Sequence, residues 1–242
     1  MSKEIAADLS EHQFMFAIPC YEGKLQVETA ISCLSLAGKL SSQSVKHCFN
    51  VVRGGALIDA VRNEMFTRFL DETECDILVC IDADIEFDWS SMERLLVFAC
   101  HYPIVAGAYP CRVDPPKFII NALEEKPSFN EHGLVAIKGL GFGFVAIQRS
   151  ALEKLKEITP QYIDKVSGKK TWQFFKTGEI NEVGEYVGED VYFFKKAVEV
   201  GITPYLDPGI SLKHHGSKVF DYKLMDCIDQ LVKGESNGLQ TD

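Results

Sequence analysis

The chain has no cluster of Lys or Arg, no Cys-x-x-Cys pair and no apolar run of membrane-spanning length, and each absence removes a class of function. With 25 basic against 35 acidic residues the formal net charge is −10, which argues against a partner held by its phosphate backbone. The eight cysteines, at 20, 33, 48, 75, 80, 100, 111 and 227, fall in part inside apolar segments, as reduced core thiols do. No basic region followed by a long apolar run opens the chain, and no stretch approaches the ~20 apolar residues of a spanning helix. There is no internal repeat or low-complexity tract. These absences lead to the expectation of a soluble, cytoplasmic protein with no nucleic-acid partner and no membrane span.

What is present is enough apolar material, 46% over 242 residues, for one sizeable core or one domain with an appendage. The chain is organised around residues 76–88, DILVCIDADIEFD. The run from Ile77 to Ile81 lacks clean alternation, as a central strand covered on both faces does, and it ends in Asp82 and Asp84, then Glu86 and Asp88. In open α/β sheets ligands collect at the carboxyl edge. If the segment stays extended, Asp82 and Asp84 point the same way, and such a pair favours a divalent cation, Mg²⁺ or Mn²⁺, carrying substrate phosphates. The competing reading of acids after a strand is a solvated loop.

Upstream, a strand at 14–18 is broken at 19–23, a helix is expected from 25 to 40, a strand at 45–51, and a helix carrying Ile58, Val61, Met65 and Phe69 on one face. Downstream, Ser90 and Glu93 have capping-box spacing for a helix to residue 100, and 102–109 is apolar. This half has the βαβ rhythm of a mononucleotide-binding sheet. Residues 135–148 read as a strand containing Gly139, Gly141 and Gly143, which lack the following helix of a dinucleotide fingerprint. Ser150 is expected to cap a short helix to 157. The polar, aromatic stretch 159–187, with a strand at 172–175, reads as a substrate lid or an excursion packed on the sheet. A helix begins at Gly188-Glu189-Asp190, where the acids either stabilise its first turn or face the cleft. Residues 205–212 lead to His214-His215-Gly216, and 219–232 is expected to form one amphipathic helix.

Four pieces, in order, carry a resemblance: AIPCY at 17–21, ILVCIDADIEF at 77–87, GLGFGFVAI at 139–147 and GED at 188–190 with its helix, extended by LKHHG at 212–216. Over roughly 200 residues they resemble the small family-two-like glycosyltransferases of bacteria, phages and large DNA viruses, which use nucleotide sugars and have the glycosyltransferase-A fold. The resemblance implies an α/β domain with a Rossmann-like mixed central sheet and flanking helices. It implies a flexible leader at 1–12, a catalytic domain at 13–216 (nucleotide-binding half 13–110, acceptor-facing half 111–216) and a C-terminal helix and tail at 217–242.

It also implies a hexosyltransferase-like enzyme that moves a sugar from a nucleoside-diphosphate sugar to a hydroxyl of a glycan, glycolipid or protein. A lipid-linked acceptor would bring the enzyme to a membrane surface. Pro19, Cys20 and Tyr21 would meet the base and ribose, with Arg62, Asp82, Ala83 and Asp84 completing the donor site. Asp82, Asp84 and His214 would hold Mn²⁺ or Mg²⁺, Asp84 as the direct ligand, with His215 as the alternative to His214. Asp190 would be the base and Glu189 would orient it or the acceptor. Two other readings stand beside this one: a sugar-nucleotide-forming nucleotidyltransferase, and a noncatalytic sugar-nucleotide or glycan-binding module.

Overall fold

Apolar segments that alternate or run unbroken become strands of one sheet. The structure, a computed structural model, describes residues 3, 5–55, 57–165, 167–180, 184 and 186–227. Its strands are β1 (Gln13–Cys20), β2 (Lys46–Arg53), β3 (Ile77–Ile81), β4 (Ile85–Glu86), β5 (Ile104–Ala106), β6 (Ile120–Ala122), β7 (Val135–Leu140), β8 (Phe144–Gln148), β9 (Gln161–Ile163), β10 (Lys170–Trp172), β11 (Glu179–Ile180), β12 (Tyr186–Val187), β13 (Tyr205–Leu206), β14 (Lys213–His215) and β15 (Val219–Asp221). The α-helices are α1 (Val27–Ser42), α2 (Ile58–Glu72), α3 (Trp89–His101), α4 (Arg149–Lys156) and α5 (Glu189–Glu199).

Eight strands form one mixed sheet in the order β2-β1-β3-β8-β5-β13-β7-β6, in which β7 and β8 run against the others. The carboxyl ends of β1, β3 and β5 therefore share an edge with the start of β8, where Ile81 lies opposite Phe144. At that edge β4, β14 and β15 add a small antiparallel sheet. The result is an α/β arrangement with a central mixed sheet flanked by helices, broadly Rossmann-like. Among the described residues no helix is long and apolar enough to cross a membrane.

Successive strand side chains face opposite ways. Phe14, Phe16 and Ile18 join Ile77, Val79 and Ile81 in a core against α1 and α3, while Met15, Ala17, Leu78 and Cys80 face α2, α4 and α5. In the second core Phe66, Phe142, Phe175 and Phe193 pack on one another with centroids 4.8–5.9 Å apart, Phe175 and Phe193 stacked and the other pairs edge-on or tilted. Such ring pairs contribute about 0.5–1.5 kcal/mol each beyond the area they bury. They lock together α2, the β7–β8 connection, residues 174–175 and α5, the elements that carry the site.

Several local expectations are corrected. Residues 135–148 are two strands, β7 and β8, joined through 141–143; they run in the same direction, with β5 and β13 lying between them in the sheet. The cap of α3 is Asp88, whose Oδ1 accepts from the Ser91 backbone N–H at 2.8 Å; Ser90 sits in the first turn and donates to the same carboxylate at 2.9 Å. A carboxylate is the stronger acceptor, so it takes the cap. The short helix α4 starts at Arg149 without a side-chain cap from Ser150. Phe174 and Phe175 are buried in the core, and Asn63 exchanges hydrogen bonds of 2.8 and 2.9 Å with the Phe175 backbone, so this part of 159–187 is docked on α2. In the expected helix 219–232, residues 219–221 instead pair as β15 with β14; residues 228–242 lie outside the described residues. Within the expected leader, Leu9 packs into the α1/α3 core and the Ala6 carbonyl contacts His101 Nε2 at 2.9 Å.

Candidate functional site

The acidic stretch after β3 is a turn. Ile85 donates its N–H to the Asp82 carbonyl at 3.2 Å, and the Asp82 N–H bonds the Gly143 carbonyl at 2.9 Å. The period-two argument for a shared direction fails, because the extended segment stops at Ile81 and the turn sends the two carboxylates to different cations.

Asp82 is held from below by Arg62 of α2. The guanidinium donates from Nη2 to Asp82 Oδ1 at 3.0 Å and from Nη1 to Glu189 Oε1 at 2.5 Å, with the faces of Phe142 and Phe175 at 5.4 and 5.9 Å. Only 7% of the Arg62 side chain is exposed. Burial opposes its charge, but Asp82 and Glu189 outweigh burial and keep it a cation.

Asp84 pairs with Arg112, a loop residue beyond β5, and stands 3.7 Å from His214 Nε2. The other ring nitrogen, Nδ1, donates to the Pro110 carbonyl at 2.9 Å, and Tyr109 packs edge-on against the imidazole. Burial pushes the Asp84 carboxyl up, yet His214 and Arg112 outweigh it and hold the pKa below the ordinary 3.8. His215, the next residue on β14, turns to the other side and meets Glu86 at 2.7 Å. The doubled histidine is thus divided by strand geometry.

The three glycines are filled by protein rather than left open for ligand. A Cβ at Gly141 would stand 2.4 Å from the Tyr109 hydroxyl, one at Gly139 would meet Asn121 Nδ2 at 2.6 Å, and one at Gly143 would lie 2.8 Å from Asp82 Oδ2. Partly buried Tyr109 accepts the Gly143 N–H at 3.3 Å, and desolvation together with the Asp82 charge raises its pKa.

At the start of α5, Glu189 is tied to Arg62, while Asp190 Oδ1 accepts the Val191 N–H at 2.7 Å. Burial, reinforced by the charge of Glu189, raises the Asp190 pKa. A carboxylate of raised pKa is a stronger base.

Beside this network lies a cavity of about 480 Å³ whose walls include Pro19, Tyr21, Lys24, Arg62, Asp82, Ala83 and Asp84. Cys20 is not among its walls; it is buried in the α1/α3 core near Cys33. Sequence reasoning missed Lys24, Tyr109 and Arg112. The last two follow β5 at the same edge as Asp82, so the rule that singled out the end of β3 would also have found them.

Mn²⁺ or Mg²⁺ does not fit these residues. Among the described residues no group of three or more His, Cys, Asp or Glu is arranged to hold a metal ion. Asp82 and Asp84 are each occupied by an arginine, and His214 has one ring nitrogen committed to a backbone carbonyl. The expected metal centre of Asp82, Asp84 and His214, and the reading of 82–84 as a metal-binding Asp-x-Asp motif, are corrected accordingly.

No family model matches the chain, and no curated protein matches it. Among solved structures it is similar to "Crystal Structure of A197 from STIV", at 20% identity and a TM-score of 0.49, over 85% of this chain and 86% of that one. It is also similar to "Crystal structure of GalNAc-T7 with UDP, GalNAc and Mn2+", at 11% identity and a TM-score of 0.41, over 81% of this chain and 42% of that one. At these values the functional reading rests on the site itself.

Proposed function

We propose that the chain is a nucleotide-sugar-dependent glycosyltransferase of the glycosyltransferase-A type, working without a bound divalent metal and moving a hexose to a hydroxyl of a glycan, glycolipid or protein. The observation that carries this reading is the Arg62 bridge. It joins Asp82, at the end of β3, to Glu189, at the start of α5, on the sheet edge beside the cavity. In this reading Pro19, Tyr21 and Ala83 receive the base and ribose, with Cys20 backing that wall from the core. Asp82 and Asp84 orient the donor, and Glu189 orients Asp190.

The acceptor oxygen attacks the anomeric carbon and forms the new C–O bond. The bond to the diphosphate breaks with its electron pair leaving on the diphosphate, and the acceptor proton passes to the Asp190 carboxylate. Lys24, on the cavity wall, is a cation within the site that can offset the growing negative charge.

The pairing of both cavity aspartates with arginines favours a second reading, a sugar-nucleotide-binding module without turnover. Saturation-transfer NMR with a panel of nucleoside-diphosphate sugars, followed by assays of donor hydrolysis and transfer, separates the two. Binding with turnover that drops about 10²-fold or more in Asp190→Asn supports the enzyme; binding without turnover supports the module. A folded protein that binds no donor sinks both.

A further inference from the structure

Arg112 occupies a built position. Its Nη2 donates to Asp84 Oδ2, and its stem crosses Gly216, where a Cβ would stand 2.9 Å from Arg112 Cδ. The loop that carries it is pinned on both sides of the residue. Cys111 donates its N–H to the Lys117 carbonyl at 2.7 Å, and Asp114 accepts from Lys218 Nζ and, at 2.7 Å, from the Tyr222 hydroxyl. Arg112 is thus set between the turn after β3 and the β14–β15 hairpin.

Its donors are mostly unspent. Among the described residues Asp84 is its one hydrogen-bond partner, through a single N–H, and a guanidinium carries five. Arg112 is not itself among the cavity walls, but 45% of its side chain is exposed beside Asp84, a carboxylate that is.

We propose that Arg112 is the diphosphate-binding cation of this site. The inference rests on the reading that a nucleoside-diphosphate sugar binds in the cavity. A guanidinium is planar, permanently charged and suited to bidentate contact with phosphate oxygens, so it supplies fixed positive charge next to the departing diphosphate. Asp84 acts through Arg112 as a positioning residue, and His214, braced by the Pro110 carbonyl, borders the same carboxylate. The turn that breaks the expected metal pair thereby directs one of its acids to hold this cation.

The test is titration calorimetry in EDTA with inorganic pyrophosphate, a nucleoside diphosphate, its sugar derivative and the free nucleoside. The proteins are wild type, Arg112→Ala, Arg112→Lys and Gly216→Ala, each checked for fold by circular dichroism. Arg112→Ala is expected to weaken the diphosphate-containing ligands and pyrophosphate by about 10- to 100-fold while leaving the nucleoside unchanged, since charge-assisted bonds are lost. Arg112→Lys should recover part of the loss, and Gly216→Ala, which displaces the arginine stem, should weaken the same ligands. Equal losses for nucleoside and diphosphate, or pyrophosphate binding unaltered in Arg112→Ala, overturn the proposal. Pyrophosphate binding that depends on Arg112 without sugar-nucleotide binding leaves the cation site standing and removes the donor reading.

Discussion

Arg62 and Glu189, 127 residues apart in the chain, meet at 2.5 Å beneath the carboxyl edge of the sheet, where the same guanidinium also holds Asp82. One buried cation thus ties α2 to the first turn of α5 and to the turn after β3.

Removing that cation strands two acids. Arg62→Met should destabilise the fold by about 3–5 kcal/mol, because Asp82 and Glu189 lose their charge partner in a desolvated place. Denaturant titration measures it. A loss of the size seen at an exposed ion pair, under about 1 kcal/mol, would show that the bridge contributes little.

The two acids of the proposed mechanism titrate in opposite senses. The Asp190 pKa is raised from 3.8 by burial and by Glu189, so the folded state holds that proton more tightly, and stability falls as pH rises from 3.8 through the folded value. The Asp84 pKa, despite burial, is held below 3.8 by His214 and Arg112. Its contribution is present above 3.8 and is lost as pH falls through the folded value. Unfolding curves between about pH 3 and pH 8 should lose the first slope in Asp190→Asn and the second in Asp84→Asn. The same slopes in both variants and the wild type would contradict this assignment.

Gly143 should not tolerate even a methyl group. In Gly143→Ala the new Cβ meets Asp82 Oδ2 and Tyr109 Cε1, each at 2.8 Å. Overpacking of this kind costs about 1–3 kcal/mol, and the displaced Asp82 should weaken donor binding as well. Wild-type stability and affinity in this variant would mean that the turn gives way freely.

Chelation should leave donor binding untouched, since the cavity acids are paired with arginines rather than grouped for a metal. Calorimetry before and after EDTA, then with added Mn²⁺, checks this. Affinity lost to EDTA and restored by Mn²⁺ would reverse the conclusion.

Much of the architecture was legible because it follows from local chemistry. The apolar runs 14–18 and 77–81 and the stripe Val61, Met65 and Phe69 specify buried strands and an amphipathic helix whatever surrounds them. Glu189 and Asp190 could be placed in a first turn for the same reason. The use of the acids could not be read this way. Spacing two apart has one meaning on a strand and another in a turn, and whether the strand continues past Ile81 depends on the Asp82 N–H finding the Gly143 carbonyl, contributed by residues 61 positions later in the chain. The glycines were ambiguous on the same ground: only the packing of Tyr109, Asn121 and Asp82 says what fills the space above them.

The sequence by itself determined the strands and helices of the first half, the start of α5 and the edge at which polar residues gather, since periodicity and burial act over a few neighbouring residues. The tertiary structure decided which basic side chain faces which acid: Arg62 on Asp82 and Glu189, Arg112 on Asp84, His214 toward Asp84 and His215 toward Glu86. Those choices depend on distances between segments far apart in the chain, and Coulomb interactions and hydrogen bonds acquire their partners only when the fold brings those segments together.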